Sequence, residues 1–167
     1  MRDVVQWQDA AMADKNFHLS RETTIAAPAE RIHALINDFH QWRAWSPWEG
    51  LDPAMDRAYD GPSSGLGAVY AWKGNSKAGE GRMEIVESQP QHVGVDLLFA
   101  APMKAHNRVD FTLTPVDGGH GTHVEWAMTG PQNFVMRVMS KVWSMEKMIG
   151  PDLEKGLTKL KQVAETP

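Results

Sequence analysis

Apolar residues change their spacing along this chain, and each change announces a different element. The first 15 positions show little periodicity around Val4, Val5 and Trp7 and read as an N-terminal extension, 1–15. In FHLSRETTIAA, residues 17–27, polar and apolar positions partly alternate and Thr23, Thr24 and Ile25 are β-branched. Pro28 closes the run, which predicts a first strand. APAERIHALINDF, residues 27–39, sets Ile32, Leu35, Ile36 and Phe39 at helical spacing with Pro28 near its start, so a short helix follows. HQWRAWSP, residues 40–47, predicts a second short helix that stops before Pro47, because a residue preceding proline avoids the α region.

From 56 to 130 the texture becomes runs of about eight residues broken by turn formers. The runs predict strands near 56–60, 67–74, 79–88, 92–100, 106–115 and 121–129, separated by GPSSG, GNSKAG, SQPQ, AAPMKA and VDGGHG. Short connections with no helix between them mean antiparallel pairing. Val109, Phe111 and Leu113 alternate with Arg108, Asp110 and Thr112, and Val124, Trp126 and Met128 alternate with His123 and Glu125. Such a sheet is wet on one face only.

Beyond the strands the period returns to that of a helix. PQNFVMRVMSKVW, residues 131–143, reads as a short helical lid. Met145, Met148, Ile149, Leu153, Gly156, Leu157, Leu160 and Ala164 then form one stripe, and its phase survives Gly150-Pro151. One long helix over 142–164, kinked at the proline, is expected. A one-sided sheet needs a cover, and this helix is the element long enough to provide it. The prediction is an α+β domain over 16–167: a curved antiparallel sheet of six to seven strands wrapped around a long C-terminal helix, with two short helices after the first strand.

Composition narrows the classes. The chain has no cysteine, which removes disulfides, thiolate metal sites and a thiol nucleophile, and fits a cytoplasmic location. A net charge of −4 argues against non-specific attraction to nucleic acid or anionic lipid. No run approaches the roughly 20 apolar residues of a membrane span, and acids from Asp3 onward leave no apolar core for a secretory signal. Seven tryptophans and ten methionines are the unusual counts, and both residue types are common at binding surfaces.

The order of elements, together with APAERIHALINDFHQWRAWSPWEGLDP, YDGPSSGLGAVYAWKGN, GEGRMEIVESQP, GTHVEWAMTG and MEKMIGPDLEKGLTKLK, resembles the helix-grip fold of the START-like (SRPBCC) superfamily. More narrowly it is similar to the polyketide cyclase/dehydrase-like family, across roughly residues 17–163. The resemblance implies a cavity between sheet and long helix, with the two short helices beside its mouth. Many relatives begin with a membrane-anchoring helix where this chain has the acidic MRDVVQWQDAAMADK. No catalytic set transfers residue by residue, so no catalytic residue is assigned.

Within that frame Trp45 and Trp48, Tyr70 and Trp72, Met83, Phe99, Phe111, Trp126 and Met128, and Trp143 are the candidate cavity-lining residues. Their competing reading is ordinary core, with Trp42 and Trp45 plugging one end of the sheet. His106, Arg108 and Asp110 alternate on one strand but point opposite Val109 and Phe111, hence outward. His33 with His40, and His120 with His123, lack the further ligands of a metal site. The glycines at 61, 65 and 67 lack the lysine and following helix of a phosphate loop. No metal and no cofactor is expected. The leading expectation is a soluble protein enclosing a hydrophobic or aromatic small molecule, lipid- or polyketide-like, with no nucleic-acid partner and no stable membrane insertion. A cyclase/dehydrase- or hydrolase-type enzyme and a regulatory protein-interaction module are the alternatives, and the oligomeric state stays open.

Overall fold

A computed structural model of the chain describes residues 16–131 and 144–167. The predicted extension 1–15, Trp143, and all of the predicted lid but Pro131 lie outside the described residues. Among those described, β1 (Asn16–Ile25) leads into α1 (Ala29–Ile36) and a 3-10 turn (Gln41–Ala44). Six strands follow: β2 (Asp56–Asp60), β3 (Val69–Lys73), β4 (Glu80–Gln89), β5 (His92–Ala101), β6 (Ala105–Val116) and β7 (Gly121–Pro131). The chain closes on α2 (Met145–Glu165).

The seven strands form one sheet in the order β1-β7-β6-β5-β4-β3-β2. Every neighbouring pair is antiparallel. The alternation sets its faces as expected: Val109, Phe111, Leu113, Val124, Trp126 and Met128 are buried. The second short helix is only a single 3-10 turn, because Trp42 and Trp45 turn back onto α1 and Pro47 follows at once.

α2 runs unbroken across Gly150 and Pro151, as one helix. Ser144 caps it, its hydroxyl oxygen accepting the Lys147 N–H at 3.2 Å. Leu153, Leu157, Leu160 and Ala164 are buried beneath it. Gly156 lets the helix come close: a β-carbon there would lie 2.6 Å from the Trp126 ring and 2.9 Å from Pro47. The helix packs chiefly on β1. Arg21 of that strand bonds Glu154 at 2.9 Å, and the Lys161 ammonium donates to the Thr24 carbonyl at 2.8 Å.

A helix is about 10 Å across, whereas seven strands spaced by about 4.8 Å span roughly 29 Å. α2 therefore cannot cover the whole concave face. The segment between the 3-10 turn and β2 fills in over part of the remainder. Among the described residues, no helix is long and apolar enough to cross a membrane.

Candidate functional site

The stretch QWRAWSPWEG divides its tryptophans between two tasks. The last carbonyls of α1 have no partner within the helix. Trp42 donates its indole N–H to the Ile36 carbonyl at 2.8 Å, and Trp45 donates to the Leu35 carbonyl at 3.0 Å. Both rings thereby seal the helix end and are buried. Trp48 reaches the other way, its N–H on Asp152 of α2 at 3.3 Å and its ring edge-on to Trp126 at 5.6 Å.

Beyond these rings lies a cavity of about 420 Å³ between the concave sheet, the 42–55 segment and the N-terminal turns of α2. That volume falls within the usual range of small-molecule sites. Of the residues predicted to line a cavity, Trp48, Tyr70, Trp72, Met83, Phe99 and Met128 stand on this wall. Tyr70 and Trp72 are nearly parallel at 18°, and Phe99 meets Trp72 edge-on at 5.7 Å. The indole N–H of Trp72 is satisfied by the Ala78 carbonyl at 3.0 Å, so its apolar face is what the wall presents.

Trp45, Phe111 and Trp126 do not reach that wall. They form a closed cluster behind it, with centroids 5.6 Å apart for Trp45 and Trp126 and 5.0 Å apart for Phe111 and Trp126. Helix α2 presses on this end of the sheet through Gly156 and leaves no room. The Trp126 N–H is buried with no partner among the described residues.

Several wall residues carried no aromatic or periodic signal. Glu49 accepts from the Tyr70 hydroxyl at 3.2 Å and from the Arg57 guanidinium at 2.6 Å, one on each carboxylate oxygen. Burial, and after it the Glu49 charge, pushes the Tyr70 phenol well above the ordinary tyrosine range. The bond to Glu49 outweighs the cost of burial for Arg57 and raises its value too. Ser46 and Asn107 are buried on the same wall, at 6% and 7% exposure. Asn107 was within reach of the sequence, since it stands two positions before Val109 on the inward-facing series of β6.

The other candidate groups do not converge on this cavity. His106 faces outward near Asp96, and Arg108 bonds Asp110 and Glu87 on the outer face. His92 bridges the same two carboxylates at 2.9 and 2.8 Å. Glu87, His92 and Asp110 bring ligand atoms within 4.8 Å of one another, but Arg108 already binds both acids. His40 stacks on Tyr59 at 4.0 Å, while His33 lines a separate hollow of about 370 Å³ with Glu30, Ser88 and Gln91. His120 bonds the Asp117 carbonyl, and His123 bonds Glu22 and Thr24.

With the geometry in place, the relatives can be compared. A family model described as "Polyketide cyclase / dehydrase and lipid transport" matches residues 16–165. No curated protein matches the chain in sequence. Protein CV1439 of Chromobacterium violaceum superposes with a TM-score of 0.62 at 14% identity, over 92% of this chain and 99% of that one. MLL2253 of Mesorhizobium loti gives 0.59 at 19% identity, over 88% and 96%. Norcoclaurine synthase of Thalictrum flavum, in complex with dopamine and hydroxybenzaldehyde, gives 0.64 at 11% identity, over 89% and 86%. At these identities the likeness establishes the shared helix-grip fold.

Proposed function

The chain belongs to the polyketide cyclase / dehydrase and lipid transport family, and from that premise we propose that it is a binding protein that encloses a hydrophobic or aromatic small molecule. The observation that carries this reading is the open cavity of about 420 Å³ walled by Trp48, Tyr70, Trp72 and Phe99. Large rings elsewhere in the same sheet pack shut, so rings beside unfilled space are a departure that a ligand accounts for. Flat aromatic faces with satisfied N–H groups favour a lipid-like or polyketide-like molecule over a sugar or a nucleotide. The lack of cysteine supports a reducing compartment such as the cytoplasm.

The test is native mass spectrometry of freshly purified protein, followed by a thermal-shift screen of fatty acids, isoprenoids, flavonoids and polyketide-like aromatics. A ligand at a hundredfold excess over its Kd stabilises the fold by about 2.7 kcal/mol. For this chain length that raises Tm by roughly 5–10 °C. Trp72→Ala should abolish most of the shift. Equal stabilisation of wild type and variant would remove the ligand from this cavity.

A second reading, an enzyme of cyclase/dehydrase or hydrolase type, is favoured by one observation: Glu49 and Tyr70 share a hydrogen bond on the cavity wall. A carboxylate bonded to a phenol can hold and pass a proton at a bound carbonyl or enol. Turnover of a ligand found in the screen, lost in Glu49→Gln while binding persists, would establish it. Binding without turnover leaves the carrier reading.

A further inference from the structure

The cavity wall is not uniformly apolar, and its most deeply buried polar groups are neutral. Asn107 points inward from β6, 7% exposed, opposite Leu97 of β5. The side-chain hydrogen bonds of this wall run from Tyr70 and Arg57 to Glu49, from Trp48 to Asp152 and Ser46, from Trp72 to the Ala78 carbonyl and from Trp42 to the Ile36 carbonyl. Among the described residues Asn107 takes no part in them. A primary amide carries two donors and an acceptor, and this one borders the cavity with no bond to a described neighbour.

Space is nevertheless kept for it. A β-carbon on Gly130 of the adjacent strand would overlap the Asn107 Oδ1, so only glycine leaves room for this side chain. Leucine or methionine would suit an entirely apolar cavity better. Among the described residues the Ser46 hydroxyl, on the same wall in a residue 6% exposed, accepts only a long 3.4 Å bond from the Trp48 backbone N–H and donates to none.

Charge is handled differently. Glu49 is already held by Arg57 and Tyr70, and Lys77, the one lysine on the described wall, is exposed. A carboxylate carried into this space would lose its hydration and meet Glu49, with no free buried cation beside it among the described residues.

We infer that Asn107, given room by Gly130, is a specificity-determining residue that hydrogen-bonds an uncharged carbonyl or hydroxyl on a flat aromatic ligand and thereby selects it over both hydrocarbons and carboxylates. This rests on the cavity-binding reading above and adds to it the polarity of the ligand.

Three naphthalene probes of similar size separate the terms: 2-acetylnaphthalene, 2-isopropylnaphthalene and 2-naphthoate, titrated by calorimetry into the wild-type chain, Asn107→Leu and Asn107→Ser. The wild type should bind the ketone about tenfold more tightly than the hydrocarbon, as one ordinary hydrogen bond in a buried site provides, and the naphthoate most weakly. Asn107→Leu should bring ketone and hydrocarbon within about twofold of each other, and Asn107→Ser should keep part of the preference. Without ligand, Asn107→Leu should melt no lower than wild type, since its amide bonds no described neighbour; a structural role would lower Tm. Equal binding of ketone and hydrocarbon by wild type overturns the role of Asn107 and leaves the cavity reading standing. Tightest binding of naphthoate overturns the selection for neutral ligands. Binding of none of the three overturns the aromatic class named here, and the cavity reading itself falls only if the wider screen also yields no ligand.

Discussion

Two clusters of aromatic residues face the same side of the same sheet and end differently. At the β1–β7–β6 side Trp45, Phe111 and Trp126 are fully buried and leave nothing open. Toward β3–β5 Tyr70, Trp72 and Phe99 stand around about 420 Å³ of free space. Residue type does not separate them, because both clusters mix indole with phenyl or phenol rings. What differs is the cover. The first cluster lies under α2 where Gly156 draws the helix onto Trp126, while the second lies where that helix has run out of width. A single helix across seven strands makes a closed core on one side and a cavity on the other, and the second is where chemistry can be housed.

The largest expected effect separates the two clusters directly. Trp45→Ala should cost about 3–5 kcal/mol, the range for a buried tryptophan truncated to alanine. It would also leave the Leu35 carbonyl without its 3.0 Å partner. Trp72→Ala should cost clearly less, because its ring already borders open space on one side. Urea unfolding of both variants gives the comparison. Equal losses would mean that the cavity wall is packed as tightly as the core.

Leu157→Ala, beneath the helix on the closed side, should cost about 2–5 kcal/mol. Gly156→Ala comes next, at about 1–3 kcal/mol, because the added methyl must push Trp126 and Pro47 apart. Alanine is otherwise the better helix former by nearly 1 kcal/mol. A stabilised Gly156→Ala would therefore show that the helix does not press on Trp126, and the contrast in cover would lose its cause.

The closed side was readable from the sequence because periodicity encodes which face of an element is buried. Leu153, Leu157 and Leu160 declared themselves by helical spacing, and Val109, Phe111 and Leu113 by alternation. Spacing is silent on how far along a strand the cover extends. Trp126 and Met128 share a face two residues apart, yet one lies behind the wall and the other on it. Trp45 and Trp48 differ likewise, since only the fold shows that Trp45 turns back to α1 while Trp48 reaches α2. The Glu49, Arg57 and Tyr70 set joins residues 8 and 21 positions apart through a loop, and no local pattern announces it. Asn107 is the instructive miss, because a polar residue on a strand's inward series is a signal that alternation alone can deliver.

The smallest effect concerns a proton on the open side. Tyr70 is buried and bonded to Glu49, and burial first, then the Glu49 charge, raises its phenol well above the ordinary range while Arg57 pulls the other way. The folded chain therefore holds this proton more tightly than the unfolded chain does. The resulting stability is fully present below about pH 10, the ordinary tyrosine value. It is lost as pH rises from there toward the folded value, because the unfolded chain releases its proton first. Tyr70→Phe removes the titrating group and should flatten the alkaline decline in urea-unfolding free energy between about pH 10 and pH 12. A shallower decline should remain from Tyr59, which burial also raises. Identical slopes in wild type and Tyr70→Phe would mean that water reaches the Tyr70 hydroxyl freely. The cavity would then be open to solvent at the Glu49 end, and the ring that marks the open side would not be part of an enclosing wall.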